Sequence, residues 1–216
     1  GPLPVAEKAA LDPVAAGLGD FGKPGNYFAR QIGRWSKQYL EDDAAGRVPE
    51  MDKLVEWLPA NIPPGDESAV VHGDYRCDNM IFHPTEPKVL AVLDWELSTL
   101  GHPLADFSYH LMMYRMPPTG TVGLTDVNLS EMNIPTELEY VERYCATVGR
   151  NVSDVTANMD FYISYNMFRL AAIVHGIRGR VVRGTASNAH AKAMSATVEP
   201  LAKLAWEQAL KAGAKG

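Results

Sequence analysis

Residues 72–79 read His72-Gly73-Asp74-Tyr75-Arg76-Cys77-Asp78-Asn79, and they follow directly on the apolar run Ala69-Val70-Val71. A second apolar run, Val89-Leu90-Ala91-Val92-Leu93, ends in Asp94-Trp95-Glu96. Between them lies Asn79-Met80-Ile81-Phe82. These three short runs sit between turn signals, which reads as three buried strands. Apolar strands that end in carboxylates hold acids at a rigid rim, whereas a solvated loop has no need of the flanking hydrophobic runs. The chemistry of the chain is therefore expected between His72 and Asp106.

Outward from this core the pattern is helical. Phe28, Ile32, Trp35 and Tyr39 recur at steps of four, three and four, which predicts a helix over 27–41. A second helix fits 51–58, closed by the breaker Ile62-Pro63-Pro64-Gly65. Beyond Pro103, helical spacing runs over 104–113, 137–148, 159–182 and 189–210, with a loop from Pro117 to about Ile134. Residues 1–25, rich in Gly, Pro and Ala, read as an irregular lead-in to a unit spanning 26–216. The fold class is α+β, mostly helical, with a small strand cluster in the middle. The stripe within 159–182 reads as core.

Composition narrows the function. Hydrophobic residues make up 46% and charged residues 21% of the 216, the balance of a globular protein. The net charge of -6 comes with no dominant basic stripe, which argues against a nucleic-acid partner. No apolar run approaches the roughly 20 residues of a membrane helix. The two cysteines, Cys77 and Cys145, form neither a metal pair by spacing nor a disulfide framework, which fits a reducing, cytoplasmic setting. The sequence sets no oligomeric state.

Phosphoryl transfer from ATP needs a carboxylate near the attacking hydroxyl, ligands for Mg²⁺ and donors around the phosphates. Asp74 suits the first role. Asn79, five residues on, and Asp94 offer the hard oxygens that Mg²⁺ prefers.

His72-Gly73-Asp74 followed four residues later by Asn79 resembles the catalytic loop of the aminoglycoside phosphotransferases, choline kinases and their relatives. Leu93-Asp94-Trp95-Glu96 resembles that family's metal-binding segment, and Gly101-His102-Pro103-Leu104-Ala105-Asp106-Phe107 its Gly-Asp-Pro-x-x-Asp-Leu segment. The three occur in the family's order. The His-Gly-Asp-Tyr-Arg form and the stretch from Phe168 to Ser187 are similar to the subgroup of kinase domains fused to acyl-CoA dehydrogenases. The resemblance implies a protein-kinase-like C-terminal lobe that transfers phosphoryl from ATP, with Mg²⁺, to a hydroxyl of a small molecule. It implies that Asp74 accepts or orients the hydroxyl proton, that Asn79 and Asp94 hold Mg²⁺, and that His72 and Asp106 brace the loop. Arg76 is a candidate contact for a phosphate or an anionic substrate group.

Some features stand apart from that pattern. The family's nucleotide-covering lobe supplies a Gly-rich loop, a lysine and a glutamate, and the segment before residue 27 is too short to form it. This predicts that the lobe is absent and that the chain is incomplete as a kinase. Gly17-Leu18-Gly19-Asp20-Phe21-Gly22 matches G-x-G-x-x-G, but Leu11–Ala16 is a poor strand to precede it, so it reads as a turn. Arg169, Arg178, Arg180 and Arg183 form a positive cluster, either a solvated helix face or a site for an anionic acceptor such as a hydroxyacyl-CoA. Asp126, Glu131, Glu137 and Glu139 could instead serve a cationic acceptor. The rival reading is a metal-dependent hydrolase, because His102, Asp106 and His110 fall at steps of four and could join His72, Asp74 and Asp94 around transition metals. A kinase-like lobe without catalysis is the remaining alternative.

Overall fold

A computed structural model describes residues 12–118, 123–186 and 189–216. Two helices, α1 (Tyr27–Glu41) and α2 (Pro49–Ala60), lead into four short strands. These are β1 (Ala69–Val71), β2 (Met80–Phe82), β3 (Val89–Val92) and β4 (Thr99–Gly101). The regular structure that follows is helical: α3 (Pro103–Leu111), α4 (Glu137–Val148), α5 (Val152–Thr156), α6 (Met159–Val182), α7 (Ala191–Ser195) and α8 (Val198–Lys211). The mostly helical α+β class expected from the sequence holds.

The centre of the molecule is α6, a helix of 24 residues that is buried on most of its faces. Ile163, Tyr165, Met167, Phe168, Ala171 and Ala172 are fully enclosed. A helix apolar on all sides belongs inside a domain, and α1, α3, α7 and α8 pack around it. Two of its enclosed polar side chains tie it to neighbouring helices. Ser164 Oγ donates to the Ala205 carbonyl at 2.8 Å, and Asn166 Nδ2 donates to Ser108 Oγ at 2.8 Å. The predicted stripe of α1 does face this core through Phe28, Ile32 and Tyr39, with Phe28 stacked on Tyr162 at 5.0 Å.

The strands form two antiparallel pairs, β1 with β4 and β2 with β3. Val70 lies opposite Leu100 in the first, and Met80 opposite Val92 in the second. The second pair is thus nested in sequence inside the first. Both connections between the pairs, residues 72–79 and 93–98, run between the same two ladders and so lie side by side.

Four details differ from the sequence reading. β4 was not anticipated, because Thr99-Leu100-Gly101 has no apolar run. β2 and β3 are only partly buried: Val92 reaches the core, but Ile81, Phe82 and Leu90 are exposed. The short helix α5 was likewise not anticipated. The helix expected over 189–210 is two helices, broken at Ala196-Thr197. Thr197 Oγ1 turns back onto the Met194 carbonyl at 2.8 Å, and Arg178 takes up the Ser195 carbonyl through Nε at 3.1 Å. The carbonyls freed by the break are therefore satisfied without helix continuation. Residues 1–11 of the expected lead-in, 119–122 of the expected loop, and Ser187 lie outside the described residues. No helix among the described residues is long and apolar enough to cross a membrane.

Candidate active site

Asp106, in the first turn of α3, sits beneath the loop that carries Asp74. Its Oδ1 accepts from the Gly73 N–H at 2.9 Å and its Oδ2 from the His72 N–H. Gly73 has φ 86, and a Cβ there would stand 2.7 Å from the Leu97 carbonyl oxygen. A side chain is therefore excluded both by conformation and by contact with the neighbouring loop.

His72 is fully buried, and both ring nitrogens are engaged. Nδ1 accepts from the Asp74 N–H at 3.2 Å, which leaves Nε2 to donate to the Leu93 carbonyl at 2.8 Å. This is the neutral Nε2–H tautomer, and it links the Asp74 loop to the Asp94 loop. Trp95 packs its ring 4.8 Å from that of His72 and donates from Nε1 to the Val92 carbonyl.

The two loops are also joined through their backbones. The Leu93 N–H donates to the Asn79 carbonyl at 2.8 Å, extending the Met80–Val92 pairing by one step. Asn79 is therefore placed beside the residue that precedes Asp94. The Asn79 amide Nδ2 donates to the Asp74 carbonyl at 2.8 Å and to Asp74 Oδ2 at 3.0 Å. Its Oδ1 accepts no hydrogen bond among the described residues. Asp94 takes a left-handed conformation, φ 65 and ψ 56, which turns its exposed carboxylate away from the strand. It makes no ion pair or hydrogen bond among the described residues. An amide oxygen and an exposed carboxylate on two joined loops are hard oxygen donors, the kind that Mg²⁺ takes alongside nucleotide phosphates.

Arg76 is half exposed, 3.7 Å from Asp74 Oδ2 and 3.2 Å from Asp78 Oδ2. The loop residues Arg76, Cys77 and Asp78 border a cavity of about 460 Å³. Its other walls are mostly apolar, with Met112, Met113, Met116, Leu170 and Met194 among them. Sequence reading missed this cavity, because its walls come from four separate helical segments and no local run of residues announces it.

The arginine cluster does not form one site. Arg169 is buried and donates to the Gly73 carbonyl, with its guanidinium 5.2 Å from the Tyr109 ring centre and 5.9 Å from that of Trp35. Arg178 is paired with Glu199 and Ser195, and Arg183 with Asp42. Arg169 and Arg178 are thus occupied in holding the lobe together, and neither presents an open anion site. The acidic stretch is dispersed as well. Glu137 pairs with Arg115, Glu139 closes the capping box of α4, and neither lines the cavity.

The rival metal cluster does not assemble. His102 Nδ1 caps α3 by accepting from the Leu104 N–H, His110 Nδ1 meets the Tyr140 hydroxyl at 2.8 Å, and Asp106 serves the Asp74 loop. Burial pulls both His102 and His110 below the usual histidine value. No three His, Cys, Asp or Glu side chains among the described residues converge on a metal position. The G-x-G-x-x-G stretch is a set of turns before α1, and Gly22 lies against the Thr99 side chain and the Leu100 backbone.

A helical lobe with two nested strand pairs, a braced His-Gly-Asp loop and a neighbouring acid has the architecture of a protein-kinase-like fold. The chain belongs to the phosphotransferase enzyme family (APH), whose model matches residues 6–139. It is 41% identical over 206 residues to acyl-CoA dehydrogenase family member 10 of Mus musculus, covering 94% of this chain and 19% of that protein. Acyl-CoA dehydrogenase family member 11 of Gallus gallus is 39% identical over 205 residues, covering 92% and 26% respectively. The chain thus spans about a fifth to a quarter of the length of these relatives. Its fold superposes on a candidate aminoglycoside phosphotransferase from Ralstonia eutropha JMP134 with a TM-score of 0.90 at 48% identity, covering 96% of this chain and 62% of that one.

Proposed function

We propose that this lobe transfers the γ-phosphoryl group of ATP to a hydroxyl of a small organic acceptor that carries an apolar portion. The observation that supports it most is the joining of two loops. The Leu93–Asn79 backbone bond ties the loop of Asp74 and Asn79 to the loop of Asp94, and the first loop borders the cavity through Arg76, Cys77 and Asp78, which supports a shared role for the three residues.

Asp74 would orient the acceptor hydroxyl and take its proton as the new P–O bond forms and the bond to the ADP oxygen breaks. Asn79 would hold Asp74 in place through Nδ2, and its Oδ1 with Asp94 would hold Mg²⁺. Mg²⁺, when bound, neutralises charge on the nucleotide phosphates. Arg76 stands where it could meet a phosphate or an anionic group of the acceptor. Most of the rate would come from positioning and charge neutralisation.

The cavity favours an apolar acceptor body over a polycationic sugar. With Arg76 at its border and relatives named for acyl-CoA dehydrogenases, hydroxyacyl-CoA thioesters are the first acceptors to test. The test is incubation of the chain with Mg·ATP and a panel of hydroxyacyl-CoAs, read as ADP release and phosphorylated thioester by mass spectrometry, beside calorimetric titration with ATP with and without Mg²⁺. Mg-dependent nucleotide binding and a phosphorylated product support the reading. Tightly bound zinc or manganese, with hydrolysis that ignores ATP, would overturn it.

A further inference from the structure

α3 addresses the Asp74 loop with more than Asp106. Tyr109 lies three residues on, so the two side chains share one helix face. Tyr109 is buried, and it also lines the cavity that adjoins the loop. Its ring carries the Arg169 guanidinium, and that same guanidinium donates to the Gly73 carbonyl, one residue before Asp74. The phenol is therefore fixed at its face by Arg169, against the backbone of the residue before Asp74, and the charge of Asp74 is felt at its hydroxyl.

We propose that Tyr109 is a positioning residue, whose hydroxyl donates to the Asp74 carboxylate and, together with the Asn79 amide, fixes the orientation in which Asp74 meets an acceptor entering from the cavity. The inference rests on the reading of Asp74 given above. Asn79 Nδ2 and Arg76 both lie toward Oδ2 of Asp74. A third donor would leave the carboxylate little freedom to rotate. Burial, and then the charge of Asp74, push the Tyr109 ionisation up to about 12, so the phenol stays a protonated donor across the working range.

The test is steady-state kinetics of Tyr109→Phe and Asp74→Asn with Mg·ATP and the hydroxyacyl-CoA panel, together with thermal unfolding of each variant. Tyr109→Phe keeps the ring and its contact with Arg169, so folding is preserved. The expected result is a fall in kcat of roughly ten- to a hundredfold, the size expected for losing a hydrogen bond to a charged group, with the KM for ATP and the unfolding midpoint unchanged. Tyr109→Leu, which also removes the ring, should show the same kcat with a lower midpoint. Wild-type kcat in Tyr109→Phe, beside an inactive Asp74→Asn, would overturn the tyrosine inference and leave the Asp74 reading standing. An equal rise in the KM for ATP would also overturn it, by showing a general distortion of the lobe. Turnover retained in Asp74→Asn would instead remove the reading on which the inference rests.

Discussion

Asp106 holds Gly73 by its backbone: Oδ1 of the carboxylate lies 2.9 Å from the glycine nitrogen, and its other oxygen serves the N–H of His72. The acid is 5% exposed, so neither N–H has water as an alternative partner. Asp106→Ala should therefore leave two buried donors unmet, at about 1–3 kcal/mol each. Asp106→Asn keeps one acceptor oxygen and should lose about half as much. Urea denaturation of the three proteins checks the order, and equal midpoints would show that the loop does not depend on this carboxylate.

A pH test separates the structural acids from the site. Asp42 accepts from Arg183 at 2.5 and 3.1 Å, and this bond is the main cause that holds its carboxyl below the ordinary value of 3.8. An acid lowered in the folded state stabilises the fold above its unfolded value and loses that contribution as pH falls through the lower folded value. Wild type should thus exceed Asp42→Asn in stability at neutral pH. The gap should narrow only below 3.8. Gly179→Ala should mimic Asp42→Asn, since a Cβ there would stand 1.9 Å from Asp42 Oδ2 and expel the carboxylate from its pair. Thermal melts from pH 7 to pH 2 read both effects, and a gap that widens on acidification would contradict the assignment.

The elements that sequence disclosed well are those with a strong local signal. α1, α4 and α6 begin and end at the residues that their helical spacing predicts, and the structure adds the capping box of Thr136 and Glu139 on α4. Asp74, Asn79 and Asp94 could be named because strand ends and motif spacing are local too. What stayed hidden depends on tertiary contact. β4 exists because Leu100 faces Val70 some thirty residues earlier. Arg169 looked like part of a surface charge cluster, but α6 runs through the core and carries its guanidinium under Gly73. Tyr109 could have been noticed, since it sits three residues after Asp106 on a predicted helix, although nothing in that spacing says what it faces.

Asp74 and Asp94 should fail in different ways. Asp74 is tied to Asn79 at 3.0 Å, whereas Asp94 stands exposed with no partner among the described residues. Asp74→Asn should abolish transfer and leave Mg-nucleotide binding nearly intact. Asp94→Ala should weaken binding in the presence of Mg²⁺ and leave the Mg-free titration unchanged. Calorimetry with both variants tells them apart. Near-wild-type turnover in Asp74→Asn would end its assignment as the base.

The cavity makes the last prediction, and it concerns the acceptor alone. Leu170 of α6 lines a mostly apolar space that includes Met112, Met113, Met116 and Met194 and no residue of the Asp94 loop that would meet the nucleotide. Leu170→Trp should occupy part of the volume that an apolar acceptor chain needs. Misfitting a few carbons in an apolar pocket changes discrimination by about tenfold or more, so the KM for a long-chain hydroxyacyl thioester should rise by roughly that factor. A short-chain acceptor should be affected less, and the affinity for Mg·ATP should not change. Met194→Ala enlarges the same space and should relax the preference in the opposite direction. If both variants leave the chain-length profile of the wild type intact, the acceptor does not use this cavity, and the search for its site moves to the exposed rim around Arg76 and Asp78.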